Sequence, residues 1–254
     1  PTDPSDFVLS ATCADRPGIV HAITGYLVRQ GANISECQQF EDPSTGRFFI
    51  RLVFRCEQHD EDALRDGFAD VATEFGMEWG LWPAGRPMRT LVLVSKLGHC
   101  LNDLLFRQQV GSLPLDIVAV GSNHLTFQKT VATHDIPFHH VPITASTKDC
   151  SEARILELVQ EYDVELVVLA RYMQVLSDDL CRTLQGRAIN IHHSFLPSFK
   201  GARPYHQAHD RGVKLIGATA HYVTPDLDEG PIIEQDVARI DHTYSPEHMV
   251  VAGR

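Results

Sequence analysis

The sequence predicts an α/β protein in two parts: an N-terminal ferredoxin-like βαββαβ unit, then a Rossmann-like domain on a mostly parallel sheet. Three observations carry this reading. The segment Trp82-Pro-Ala-Gly-Arg-Pro-Met88 holds two prolines and a glycine, the punctuation of a linker, and divides the chain into residues 1–85 and 86–254. Ahead of it, strand-like and helix-like segments follow one another in the order βαββαβ. Behind it the rhythm becomes strand–helix alternation, repeated five times, which a parallel sheet with helices on both faces requires.

In the first part, Phe7–Thr12 is a strand by its apolar and β-branched content. Asp15-Arg-Pro-Gly18 turns the chain into a helix over Ile19–Gln30, where Ile19, Ile23, Tyr26 and Leu27 recur at helical spacing and Gly31 suits the position after the end. Asn33–Glu41 and Arg47–Arg55 are strands joined by the turn Asp42-Pro-Ser-Thr-Gly46. Asp60–Phe75 is the second helix and Met77–Leu81 the fourth strand. In the second part, strands are expected at Arg89–Ser95, Asp116–Gly121, Phe138–Val141, Glu165–Ala170 and Ala188–His192. The helices between and after them fall near Cys100–Gly111, Leu125–Thr133, Lys148–Tyr162, Ser177–Leu184 and Pro204–Gly212. Two further strands, Ala218–Thr224 and Pro231–Ile240, flank an acidic loop. Ser245-Pro-Glu247 opens a last helix just before the chain stops at Arg254, so a further C-terminal piece is expected.

Composition narrows the function. Of 254 residues 43% are hydrophobic and 22% charged, the balance of a globular chain and not of a disordered one. Apolar runs such as Leu91–Val94 are far shorter than the ~20 residues of a bilayer span, and the start reads as no signal peptide, so neither membrane nor export is expected. Six cysteines lie at wide spacings without a CxxC pair, which argues for reduced thiols in a cytoplasmic protein. The net charge is -11, and residues 1–85 alone hold 14 acids against 6 Lys and Arg. No basic cluster relieves that repulsion, so nucleic acid is not an expected partner.

The densest polar cluster is Asn190-Ile-His-His-Ser-Phe-Leu-Pro197, at the end of a strand, where parallel α/β sheets place their ligands. Strand alternation puts Asn190 and His192 on one face. An amide donor beside a titratable imidazole suits a carbonyl whose oxygen becomes anionic. The same alternation sends His193 to the other face, as a local packing histidine. The loop Thr224-Pro-Asp-Leu-Asp-Glu-Gly-Pro231 offers Asp226, Asp228 and Glu229; it reads either as solvated turn chemistry or as the source of a carboxylate that holds an imidazole. His192, His193, His206, His209 and His221 invite a metal reading, but neither HExxH nor a zinc-type spacing occurs, so no metal is expected. The first strand-to-helix turn, Ser95-Lys-Leu-Gly-His99, lacks the glycines of a dinucleotide or nucleotide phosphate loop.

Taken in order, Asn190–Pro197, Gly201-Ala-Arg-Pro-Tyr-His-Gln-Ala208, Ala218-Thr-Ala-His-Tyr-Val223 and Leu227-Asp-Glu-Gly-Pro231 resemble the folate-dependent formyltransferase-type hydrolases. Ala14-Asp-Arg-Pro-Gly-Ile19 and Gly31-Ala-Asn-Ile34 resemble an ACT regulatory domain. The resemblance implies an enzyme that splits 10-formyltetrahydrofolate into formate and tetrahydrofolate, with the folate as substrate, no cofactor, and the formate feeding purine biosynthesis. It carries the catalytic roles onto Asn190, His192 and Asp228. It carries folate binding onto Arg171, Tyr172, Met173, Gln174, Val175 and Leu176, joined by Asp226 and Leu227. Which of Asp228 and His192 takes the proton of water stays open. In the ACT unit, the amides of Gly18 and Ile19 open a helix and suit a carboxylate. With Asp15, Pro17, Asn33 and Ile34 they form the expected site for a small amino-acid effector, glycine or methionine, bound between paired N-terminal units of a homo-oligomer. Two other readings are weighed beside this one. Formyl transfer to an amine such as glycinamide ribonucleotide conflicts with the Lys96, Leu97 and His99 turn, and a non-catalytic amino-acid sensor conflicts with an intact Asn190, His192 and Asp228.

Overall fold

The computed structural model describes residues 5–198 and 203–253. Gly201 and Ala202 of the second motif lie outside the described residues. The chain divides into two compact units that part between Arg86 and Pro87.

The first unit follows the order β1 (Asp6–Ala14), α1 (Ile19–Arg29), β2 (Asn33–Asp42), β3 (Arg47–Arg55), α2 (Glu61–Phe75) and β4 (Glu78–Pro83). Its antiparallel sheet runs β2-β3-β1-β4. Strand alternation sends Leu9, Ala11, Ile50, Leu52 and Phe54 to one face, where Ile23, Leu27, Leu64 and Phe68 of the two helices cover them. The Asp60 side chain accepts from the Ala63 amide and starts α2; Gly76, at φ 61, ends it in the left-handed region that a side chain would resist. The Tyr26 hydroxyl, buried between the helices, donates to the Leu64 carbonyl at 2.7 Å.

The second unit contains β5 (Met88–Val94), α3 (His99–Gln109), β6 (Leu115–Ser122), α4 (Gln128–Ala132), β7 (Phe138–His140), α5 (Lys148–Glu161), β8 (Leu166–Leu169), α6 (Asp178–Thr183) and β9 (Ala188–His192). It continues with α7 (Pro204–Asp210), β10 (Leu215–Tyr222), β11 (Ile232–Arg239) and α8 (Pro246–Ala252). Its sheet order is β11-β10-β9-β8-β5-β6-β7. Strands β5 to β9 are parallel, while β10 and β11 run antiparallel at one edge. Leu91 and Leu93 face one core, with Ile155 and Leu158 of α5, and Val92 and Val94 face the other, with Leu101 and Leu105 of α3. That is why β5 reads as an unbroken apolar run. Helix α4 is shorter than the expected Leu125–Thr133, because the chain first turns after Ser122, whose hydroxyl accepts from the His124 amide.

The order of connection reverses beside β5: the chain leaves it outward to β6 and β7, then returns to β8 on its other side. A crevice opens at such a point, beyond the carboxyl ends of the strands. Ser95, at the end of β5 and 2% exposed, shapes it. Its hydroxyl donates to Asn123 at 2.8 Å and accepts from the Met173 amide at 2.9 Å, fixing the loop that follows β8.

Candidate active site

The crevice is a cleft of about 340 Å³. Its walls are the loop Arg171–Leu176 after β8, the end of β9 and the loop Thr224–Asp228 after β10. All the residues assigned to catalysis or folate from sequence line it: Asn190, His192 and Asp228, Arg171 through Leu176, and Asp226 with Leu227. Apolar side chains dominate the walls, and Met173, Val175 and Leu227 remain more than half exposed.

Asn190 and His192 lie two apart on β9 and reach the cleft together, as alternation requires. The Nδ1 atom of His192 faces Oδ1 of Asp228 at 3.3 Å, and both residues are buried, at 5% and 8% exposure. A carboxylate at that distance out of water holds the ring's orientation. Two wall residues adopt left-handed backbone without being glycine: Arg171 at φ 61 and Asp228 at φ 57. Such conformations persist where surrounding structure enforces them, and both bring a functional side chain into the cleft. The Thr224 hydroxyl braces the acidic loop by donating to the Asp226 carbonyl at 3.0 Å.

Sequence reasoning weighed His221 only as a metal ligand; it is 3% exposed and faces Asn190 across the β9–β10 pair. The motif Ala218–Val223 contained it, but only the antiparallel register shows what it meets. His193 departs from expectation. β9 ends at His192, so alternation no longer governs the next residue, and His193 lines the cleft too, its ring centroid 5.4 Å from that of His192. Burial, reinforced by the charges of Arg171, His192 and His99 against the opposing pull of Asp228, brings the His193 imidazole down from 6.5 to about 3. The unfolded chain therefore binds a proton near pH 6.5 that the folded protein refuses until about pH 3. Stability associated with this group is full above 6.5 and is lost as pH falls toward 3. His193→Gln, uncharged throughout, is expected to flatten that acid-side fall in the urea midpoint; an unchanged pH profile would contradict it.

Among the described residues, no group of three or more His, Cys, Asp or Glu side chains is arranged to hold a metal. No helix among them is long and apolar enough to cross a membrane. In the turn Ser95–His99 the Phe127 ring packs so close to Gly98 that a Cβ there would collide with it.

The expected effector site does not assemble within one copy of the first unit. Asp15 follows β1 at the end where Ala14 pairs with Arg47, and its amide donates to the Gly46 carbonyl at 2.9 Å. Asn33 begins β2 opposite Arg55, the other end of the same sheet. The span between these ends is about 27 Å at the usual rise per residue. Helix α1 separates Gly18 from Asn33, and Ile19 and Ile34 pack into the core. The sequence reading placed these residues together because it lacked the register.

The comparisons with known proteins follow the same division. Residues 7–66 match the ACT domain model, and residues 88–254 match the formyl transferase model. Formyltetrahydrofolate deformylase of Corynebacterium sp. (strain P-1) is 54% identical over 97% of this chain and 87% of that protein; the Bacillus subtilis enzyme of the same name is 47% identical over 97% and 83%. The crystal structure of formyltetrahydrofolate deformylase from Burkholderia mallei superposes with a TM-score of 0.93 at 52% identity, covering 98% of this chain and 89% of that one. Phosphoribosylglycinamide formyltransferase from Anaplasma phagocytophilum matches 65% of this chain and 78% of its own, with a TM-score of 0.60 and 32% identity. The transferase is thus similar over part of the chain, whereas the deformylases are similar over nearly all of it, ACT unit included. A cleft built on Asn190, His192 and Asp228, on a chain this similar from end to end, makes the protein a member of the formyltetrahydrofolate deformylase family.

Proposed function

We propose that this chain hydrolyses 10-formyltetrahydrofolate to formate and tetrahydrofolate at the Asn190, His192 and Asp228 centre. The observation that carries the reading is the buried His192–Asp228 pair beside Asn190 in a largely apolar cleft. The pterin enters between the 171–176 and 224–228 walls and brings the N10 formyl group to the end of β9. Water adds to the formyl carbon, and the carbonyl oxygen gains charge that Asn190 and His192 stabilise. The His192–Asp228 pair takes the water's proton and delivers it to N10, a poor leaving group until protonated. The C–N bond then breaks, and formate and tetrahydrofolate depart. Every step uses side chains of this chain and needs no cofactor. Formate release with no amine acceptor present is expected, and it is expected to survive exhaustive treatment with EDTA. Absence of formate without an added amine would return the chain to formyl transfer; activity lost to EDTA and restored by zinc would revive a metal.

The released formate supplies purine biosynthesis, and the ACT unit senses a small amino acid, glycine or methionine. Because Gly18 and Asn33 stand at opposite ends of one copy, the effector lies where the Gly18 turn of one copy meets the β2 strand of another, in a homo-oligomer. The match to the ACT model supports amino-acid binding by this unit. Calorimetric titration of glycine and of methionine is expected to give heat with the wild type and none with Gly18→Val, whose side chain the φ of 99° at that position resists. No heat with either amino acid would leave the unit without this role.

A further inference from the structure

Asn190 stabilises an oxyanion only if its amide nitrogen, and not its oxygen, meets the charge. A buried Asn side chain has two orientations of nearly equal shape, and the hydrogen-bond network around it decides between them. His221 supplies that network. It stands on β10 directly opposite Asn190, and the register shift where β10 meets β11 falls between Ala220 and His221. Its Nδ1 lies 2.9 Å from the Tyr222 carbonyl oxygen, and its Nε2 lies 3.2 Å from Nδ2 of Asn190.

A carbonyl oxygen only accepts, so Nδ1 carries the ring proton. The neutral ring then presents a lone pair at Nε2, which accepts one N–H of the Asn190 amide. That leaves the second N–H of the same amide for the cleft and turns the amide oxygen aside. The Tyr222 carbonyl is itself held in place. The Tyr222 amide donates to the Pro231 carbonyl at 2.9 Å, and Gly230 passes so close that a Cβ there would collide with the Tyr222 oxygen. The groups facing Nε2 are the Asn190 amide on β9 and the Asp228 carboxylate on the loop after β10, whose Oδ1 is 3.9 Å away and lies closer to His192. At 3.9 Å the carboxylate is beyond hydrogen-bond reach, so the acceptor role toward Asn190 stands.

We propose that His221, held as its Nδ1–H tautomer by the Tyr222 carbonyl, is a positioning residue that fixes the Asn190 amide with an N–H directed at the reacting formyl oxygen. The assignment rests on the hydrolytic reading of this site. Without His221 the amide nitrogen loses the acceptor that fixes it, so the cost of turning and holding an N–H toward the growing charge falls on the transition state. Binding of the ground-state substrate, whose formyl oxygen is still uncharged, is little affected, because the cost appears only as charge develops there.

The test combines kinetics with a spectroscopic signature. His221→Phe is expected to lower kcat by roughly 10- to 100-fold, less than removing an oxyanion donor outright, with KM within about threefold. His221→Gln places an acceptor oxygen near the Nε2 position and is expected to recover most of kcat, whereas His221→Asn, whose shorter side chain stops at the Nδ1 position, is not. In the ring 15N spectrum of the wild type, the His221 signals, assigned by their loss in His221→Gln, are expected to show a protonated Nδ1 and an unprotonated Nε2. This measurement stands even where the Phe variant fails to fold. A protonated Nε2, a Gln variant no better than Asn, or a Phe variant with normal kcat overturns the proposal. If Asn190→Ala is nearly inactive while His221→Phe is normal, only the role of His221 falls; if Asn190→Ala keeps full activity, the mechanism at this site falls with it.

Discussion

His192→Ala is expected to lower formate release by roughly 10²- to 10⁴-fold, the range lost when a positioned acid–base group is removed. The ring combines a buried carboxylate partner at 3.3 Å with a place beside Asn190 on the same strand face. Asp228→Asn isolates the charge. Asn tolerates left-handed backbone about as well as Asp, so the φ of 57° at this position survives and the loop keeps its course. The same substitution removes the carboxylate that holds His192, and turnover is expected to fall by roughly 10²-fold or more with a smaller change in KM. Formate release at near-wild-type rates in either variant would take these residues out of the mechanism. Asp228→Ala is a poorer test, since it combines loss of charge with a backbone that alanine resists.

Phe68→Ala is expected to cost about 3–5 kcal/mol, the usual loss for deleting a buried phenyl ring. Phe68 is fully buried, and it meets Tyr26 and Trp79 edge to face with ring centroids 5.4 and 4.9 Å apart. Aromatic pairs in this geometry contribute about 0.5–1.5 kcal/mol beyond the area they bury, so two contacts are lost with the volume. Both tryptophans of the chain, Trp79 and Trp82, lie on β4 of the same unit. Their fluorescence therefore reports this unit alone, and its urea midpoint is expected to drop by the amount that this cost implies. A midpoint shifted by less than a conservative surface substitution would show that the three rings are not the centre of this core.

Most of the fold was legible in the sequence, because its signals are local. Alternation and punctuation marked Arg47–Arg55 and Ala188–His192 at their observed bounds, and Ser245 caps the last helix as its sequence suggests. The residues assigned to catalysis and folate were legible as motifs, and the cleft gathers them because they occupy the ends of β8 and β9 and the loop after β10. What the sequence hid is long-range. The position of His221 opposite Asn190 depends on how β9 and β10 pair, 31 residues apart, and no periodicity within either strand reports that register. The same gap misplaced Asn33 beside Gly18: each sits at a plausible turn, but β1 and β2 both pair with β3 and run the same way, so the two turns fall at opposite ends. His193 was misread for a smaller reason, the end of a strand one residue earlier than alternation assumed.

The left-handed backbone at Arg171 and Asp228 has a consequence for how this protein responds to selection. Glycine at either position would relax a conformation that costs other residues on the order of 1–3 kcal/mol. A screen that rewards heat resistance alone would therefore favour erasing these two side chains, one from each wall of the cleft, and the sturdier proteins it returned are expected to turn over folate poorly. Stabilising this enzyme without silencing it means leaving both positions unchanged and seeking gains elsewhere, in helix caps and surface loops. Thermal robustness and chemistry here draw on the same two backbone angles, in opposite directions.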